Sequence, residues 1–146
     1  METNIISHIA IVVKDINKTA KHYSELFGIP MPEIIYESKE TGCCSEYFGK
    51  LVNCSYEIAF MRFGIMVLEL IHPCSEENVW KDYFDRHGEG VHHIGFNIRD
   101  DKNIKFLEDN GMAIVQKTEN KMGMNYYFDS NASLGVMIEL CQKPQK

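Results

Sequence analysis

The chain repeats itself, and the repeat constrains its fold more than any other feature. His93-Ile94-Gly95-Phe96 restates His8-Ile9-Ala10-Ile11, and each copy continues to a basic residue and an aspartate, Lys14-Asp15 and Arg99-Asp100. A helical pattern closed by glycine follows each time, at Gly28-Ile29 and Gly111-Met112. Each copy then reaches a strand with one glutamate among aliphatic residues, Val67-Leu68-Glu69-Leu70 and Met137-Ile138-Glu139-Leu140. A chain of 146 residues is long enough for one globular domain, or two fused half-domains, and too short for two independent large ones.

Periodicity sets out the elements. From Ile5 to Val13, Ile6, His8, Ala10 and Val12 share one face and bulkier aliphatics the other, the period of a strand. Asp15 suits a helix cap, and Ile16, Ala20, Tyr23 and Phe27 recur at helical spacing up to Gly28. Glu33 to Ser38 reads as a strand; Lys39 to Ser55 loses all periodicity and is expected to be a loop over a site. Tyr56 to Arg62 and Ile65 to Ile71 are strands, the second with Val67, Glu69 and Ile71 on one face. Ser75 with Glu76 and Glu77 is expected to open a connector helix closed by Gly88, its apolar stripe running from Val79 and Trp80 to His87.

The second half is expected to repeat the plan: a strand from Val91 to Ile98, a helix capped by Asp100 or Asp101, and strands near 112–118, 124–128 and 135–141. The first copy is about fifteen residues longer between histidine and glutamate, an excess placed in the Lys39 to Ser55 stretch. The expected fold class is α+β: a single domain over 1–146, with βαβββ modules at about 5–72 and 90–142 joined by a connector helix at about 75–88. The modules are expected to form a cupped, mostly antiparallel sheet.

An ionised carboxylate between aliphatic neighbours is costly to bury alone, so Glu69 and Glu139 call for compensation. If the first and last strands of each half are neighbours, His8, Glu69, His93 and Glu139 meet on one concave face. Two neutral imidazoles and two carboxylates balance a divalent cation, and their nitrogen and oxygen donors suit Zn²⁺, Ni²⁺, Co²⁺, Mn²⁺ or Fe²⁺. In an octahedral site two adjacent positions stay open for water or two substrate oxygens. Strand parity puts His92 on the opposite face with Ile94 and Phe96, which makes it structural; Gly95 beside His93 leaves room for a substrate. His22, His72 and His87 read as caps or surface residues.

Other classes are disfavoured. A net charge of −6 without a basic stripe argues against nucleic acid, and the longest apolar runs are far too short to span a membrane. No charged-then-apolar leader opens the sequence, so the expected compartment is the cytoplasm. Five cysteines without a CxxC pair read as free thiols.

These residues resemble the vicinal oxygen chelate superfamily, which includes glyoxalase I, methylmalonyl-CoA epimerase, extradiol dioxygenases and the bleomycin resistance proteins. His8 to Asp15 is similar to its opening strand and helix start. Glu69-Leu70-Ile71-His72-Pro73, the connector helix and Gly88-Glu89-Gly90-Val91-His92-His93-Ile94 resemble the epimerase branch most.

The resemblance implies paired βαβββ modules around one divalent metal held by His8, Glu69, His93 and Glu139. It also implies a small-molecule substrate such as an acyl-CoA or other thioester, a homodimer, and Glu139 as a catalytic base. Where epimerases carry an acidic residue before the third strand, this chain has Lys50-Leu51-Val52-Asn53-Cys54-Ser55, with Glu46 and Glu57 as substitutes nearby. The activity implied is isomerisation or epimerisation by proton transfer next to a carbonyl. The alternatives are a glyoxalase I-like lactoylglutathione lyase and a non-catalytic, antibiotic-binding protein.

Overall fold

The alternation that starts at Ile5 becomes a paired strand only from His8, where neighbours exist on both sides. The computed structural model describes residues 1 and 3–144. Strand β1 (His8–Val12) runs parallel to β6 (Met66–Pro73) and antiparallel to β7 (Gly90–Ile98), and β10 (Met137–Gln142) lies parallel beside β7. These four strands, the first and last of each half, form the centre of one mixed sheet. Outside them lie β5 (Tyr56–Phe63) and β2 (Ile35–Glu37) on one side and β9 (Gly123–Asp129) and β8 (Ala113–Asn120) on the other.

The outer face is covered by two helices at equivalent places in the repeat. Helix α1 (Ile16–Phe27) starts where the Asp15 carboxylate accepts from the Lys18 N–H at 2.9 Å, and it stops at Gly28, whose φ of 63° lets its N–H turn back to the Ser24 carbonyl. Ile16 and Ala20 bury against Ala59, Met61 and Leu70. Helix α3 (Lys102–Asp109) sets Ile104 and Leu107 against Phe96, Ile98, Ile138 and Leu140. At its start Asp101 holds the cap position while the neighbouring Asp100 carboxylate accepts from the Lys102 N–H.

The inner face is filled at one end by helix α2 (Val79–His87). It starts later than the expected Ser75, because Asn78 is the cap: its Oδ1 accepts from the Lys81 N–H while its amide nitrogen donates back to Ser75. Trp80 is buried between Tyr56 and Tyr127. Burying an indole of roughly 200 Å² stabilises by about 5 kcal/mol, so Trp80 anchors the helix inside the cup.

The stretch from Lys39 to Ser55 is not the expected loop. After a 3-10 turn at Lys39–Thr41 it forms a hairpin of β3 (Cys44–Tyr47) and β4 (Lys50–Val52), and β3 pairs with β8 of the second half. The sheet order is therefore β2-β5-β6-β1-β7-β10-β9-β8-β3-β4. Hydrophobic periodicity misses this hairpin because polar groups join it to β8: Ser45 Oγ lies 3.1 Å from Thr118 Oγ1, and Gln116 bonds to both Thr118 and the Val79 N–H. Asn120 donates to the Tyr56 hydroxyl at 3.3 Å, a tie between the two walls of the cup. A single helical turn, α4 (Asn131–Leu134), delays β10 to Met137. The five cysteines are free, and no helix among the described residues is long and apolar enough to cross a membrane.

Candidate metal centre

Each of the four central strands contributes one side chain to a polar cluster in the cup. Across β1, Ala10 is paired with Glu69 on one side and His93 on the other; His8 is paired with Gly95, which is also the partner of Glu139 in β10. Side-chain alternation thus brings His8, Glu69, His93 and Glu139 to one spot, with side-chain exposures of 11, 7, 0 and 4%. Their ligand atoms all lie within 4.8 Å of one another.

The spacing is that of a coordination shell. With bonds of about 2.1 Å, ligand atoms around one ion stand about 3.0 Å apart at 90° and about 3.4 Å apart at the tetrahedral angle. His8 Nε2 is 3.3 Å from Glu69 Oε2 and 3.3 Å from His93 Nε2, and His93 Nε2 is 3.2 Å from Glu139 Oε2. His8 Nε2 and Glu139 Oε2 are closer, at 2.6 Å, yet among the described residues no donor meets that buried oxygen in hydrogen-bond alignment. A buried acceptor surrounded by ring nitrogens that do not donate along its lone pairs fits convergence on a common centre. The residues present therefore suit a divalent ion, and their chemistry does not single out one metal.

Gly95 is required here for a reason other than substrate room. A Cβ at this position would fall on the His8 ring, so the space left open is taken by the imidazole itself. His92 also departs from its expected place. A β-bulge in the β1–β7 pairing skips it, between the pairs Ala10–His93 and Ile11–Val91. Alternation breaks at the extra residue, and His92 turns to the cup side against α2, packed on Tyr83 and bonded to the Val79 carbonyl and to His93. Burial, with His93 beside it, lowers the His92 pKa to about 3.

Electrostatics within the cluster divide the roles. Burial works against the charged form of His8, but the Glu139 and Glu69 carboxylates outweigh it and raise its pKa to about 9 in the metal-free chain. Burial raises Glu69, with His8 opposing; Glu139 lies well below the usual range despite burial, because His93 and His8 hold its charge. A His8 pKa raised above its ordinary 6.5 means that the proton stabilises the metal-free fold below that pH, and that this stabilisation is lost as pH rises through about 9. An ion must displace the same proton. The apparent affinity for Co²⁺ or Mn²⁺ is accordingly expected to rise about tenfold per pH unit from near 6.5 towards 9. A flat profile in competition titrations over this range would show that binding displaces no proton from His8.

Tyr127 was not singled out by the sequence, since only strand register reveals it: it pairs with Glu139 and sets its ring edge-on to His93 at 5.4 Å. Glu46 and Glu57 do not reach the cluster. Glu46 alternates with the inward Ser45 and Tyr47 and pairs with Lys117 outside the cup. Glu57 gathers instead with His72 and Cys74 at a partly exposed place, and His72 Nδ1 bonds to the Val13 carbonyl. A cavity of about 920 Å³ is lined by Ser7 and Val67, the chain neighbour and strand partner of His8. Arg62, Arg99 and Lys143 line it too, and among the described residues no acidic side chain does.

Comparison with known proteins agrees with this architecture. The pattern of the Glyoxalase/Bleomycin resistance protein/Dioxygenase superfamily matches residues 7–128. An uncharacterized protein of Bacillus subtilis (strain 168), YqjC, is 25% identical over 147 aligned positions, which cover 95% of this chain and 92% of its own. A Streptomyces coelicolor methylmalonyl-CoA epimerase solved with 2-nitronate-propionyl-CoA superposes with a TM-score of 0.69 at 23% identity, covering 96% of this chain and 97% of that one. The methylmalonyl-CoA epimerase of Mycobacterium tuberculosis gives 0.67 at 18% identity, over 96% and 88%.

Proposed function

Because this chain belongs to the Glyoxalase/Bleomycin resistance protein/Dioxygenase superfamily, we propose that it is a metal-dependent isomerase that moves a proton next to a carbonyl, as in methylmalonyl-CoA epimerisation. The observation that carries the reading is the convergence of His8, Glu69, His93 and Glu139 within 4.8 Å on the buried inner face. A divalent ion held there would act as a Lewis acid for two carbonyl oxygens of a thioester substrate.

This chain's own residues then handle the proton. Glu139, whose ionised form the two histidines favour, is the base for the α-hydrogen. With Glu46 and Glu57 turned away, Glu69 is the group that returns the proton from the side of the other module. Tyr127 and Trp80 close the inner wall and exclude water. The cavity lined by Arg62, Arg99 and Lys143, with Ser7 and Val67 beside His8, suits a phosphorylated handle, which an acyl-CoA carries. We place this activity in a cytoplasmic homodimer.

The deciding experiment is exchange at the α-carbon of methylmalonyl-CoA in deuterated water. Protein loaded with Co²⁺ or Mn²⁺ is expected to wash in solvent deuterium; no exchange would remove the epimerase. Turnover of the methylglyoxal–glutathione hemithioacetal instead would move the same four residues to a lyase. Purified protein that takes up no divalent metal would sink both and leave a binding protein.

A further inference from the structure

In each module the residue immediately before the cluster histidine lies against that histidine's other ring nitrogen. Ser7 Oγ donates to the Gly95 carbonyl at 2.9 Å. With its one hydrogen given to that carbonyl, the hydroxyl offers only lone pairs to His8 Nδ1, 3.0 Å away, and in this arrangement Nδ1 carries the hydrogen. In the second module His92 Nε2 lies 3.2 Å from the Val79 carbonyl. A carbonyl only accepts, so Nε2–H is the donor. A buried, neutral His92 then presents a bare Nδ1, and His93 Nδ1 sits 2.8 Å from it; His93 must be the donor there. Both relays end on a backbone carbonyl, and both reserve Nε2 for the cluster.

We propose that Ser7 and His92 are positioning residues that hold His8 and His93 in the tautomer whose Nε2 is free for a divalent ion. The inference rests on the metal-site reading above. Two different devices reach this result. Ser7 lies just before β1, where its N–H and hydroxyl both bond to the Gly95 carbonyl. His92 sits inside β7, where regular alternation would point it away, and the bulge brings it round to His93 and α2. The bulge thus serves the site by placing a partner behind His93, as metal-binding histidines generally need.

Zn²⁺ alone is the probe, with affinity measured by competition against a chromogenic chelator and ring protonation read from long-range ¹H–¹⁵N spectra. Wild-type protein is expected to show Nδ1–H on both rings when loaded, and on His93 without metal. Ser7→Ala is expected to bind about 10–100-fold more weakly, with the His8 Nδ1–H exposed to rapid solvent exchange. His92→Phe should lose a similar factor and let metal-free His93 populate its Nε2–H tautomer. His92→Gln, whose amide can donate to Val79 and accept from His93, should regain part of the affinity. If His92→Phe does not fold, Ser7→Ala and His92→Gln decide the matter.

Folded variants with wild-type affinity would overturn the proposal. So would weaker binding with unchanged ring spectra, which would mark a packing role only. Wild-type protein that binds no Zn²⁺ would sink the metal site and this inference together, whereas wild-type binding with indifferent variants would sink the relays alone.

Discussion

Glu139→Gln is expected to cost this chain about 100-fold or more in divalent-metal affinity, since outer partners alone are worth 10–100-fold and Glu139 stands among the ligand atoms. If it is also the base, the exchange rate at the substrate α-carbon should fall by about 10²–10⁴-fold. The fold has a way to absorb the change. Breaking a buried ion pair usually costs about 3–5 kcal/mol because a charge is stranded, but His8 can shed its proton. The His8 pKa of about 9 depends on the Glu139 carboxylate working against burial, so in Glu139→Gln it should drop, and NMR titration of His8 reads this directly. A variant that binds Co²⁺ as wild type does, with His8 still titrating near 9, would show that Glu139 is neither ligand nor partner.

Gly95→Ala is expected to be nearly as damaging to the site, although it adds a single methyl group. Its Cβ would occupy the position of the His8 ring, and that ring is held between Ser7 Oγ at 3.0 Å and Glu139 Oε2 at 2.6 Å. Overpacking of this kind costs about 1–3 kcal/mol, and relief comes only by expelling the imidazole from the cluster, which removes a ligand. Melting temperature and metal affinity should fall together. Gly90→Ala is the control, because its Cβ meets only the Tyr83 hydroxyl, the far end of a side chain that can move. The double variant His8→Ala with Gly95→Ala should recover stability relative to Gly95→Ala alone while binding no better, the coupling expected of two groups competing for one space. Equal melting temperatures for Gly95→Ala and wild type would refute the clash.

Much of the site was legible because the signal that carries it is local and occurs twice. His8 and His93 lie in the first strand of each half and Glu69 and Glu139 in the last, so alternation with a period of two places all four on one face once those strands are neighbours. The same rule failed at His92, because a bulge changes parity by one residue and leaves no mark in hydrophobicity. It failed again from Lys39 to Ser55, where the contact with the second half runs through Ser45 rather than through an aliphatic stripe. The pairing of Ser45 with Thr118 joins segments far apart in sequence, and no pattern inside either segment announces the other.

The sequence by itself determined the duplicated α+β plan and the four cluster residues, because side-chain direction along a strand is set by backbone geometry within a few residues. The tertiary structure decided the rest: that the hairpin of the first half walls the second, that α2 starts at Asn78 and fills the cup, that Gly95 makes room for His8, and that Ser7 and His92 stand behind the two histidines. Each of these depends on a contact between residues remote in sequence, which forms only when the whole sheet has closed.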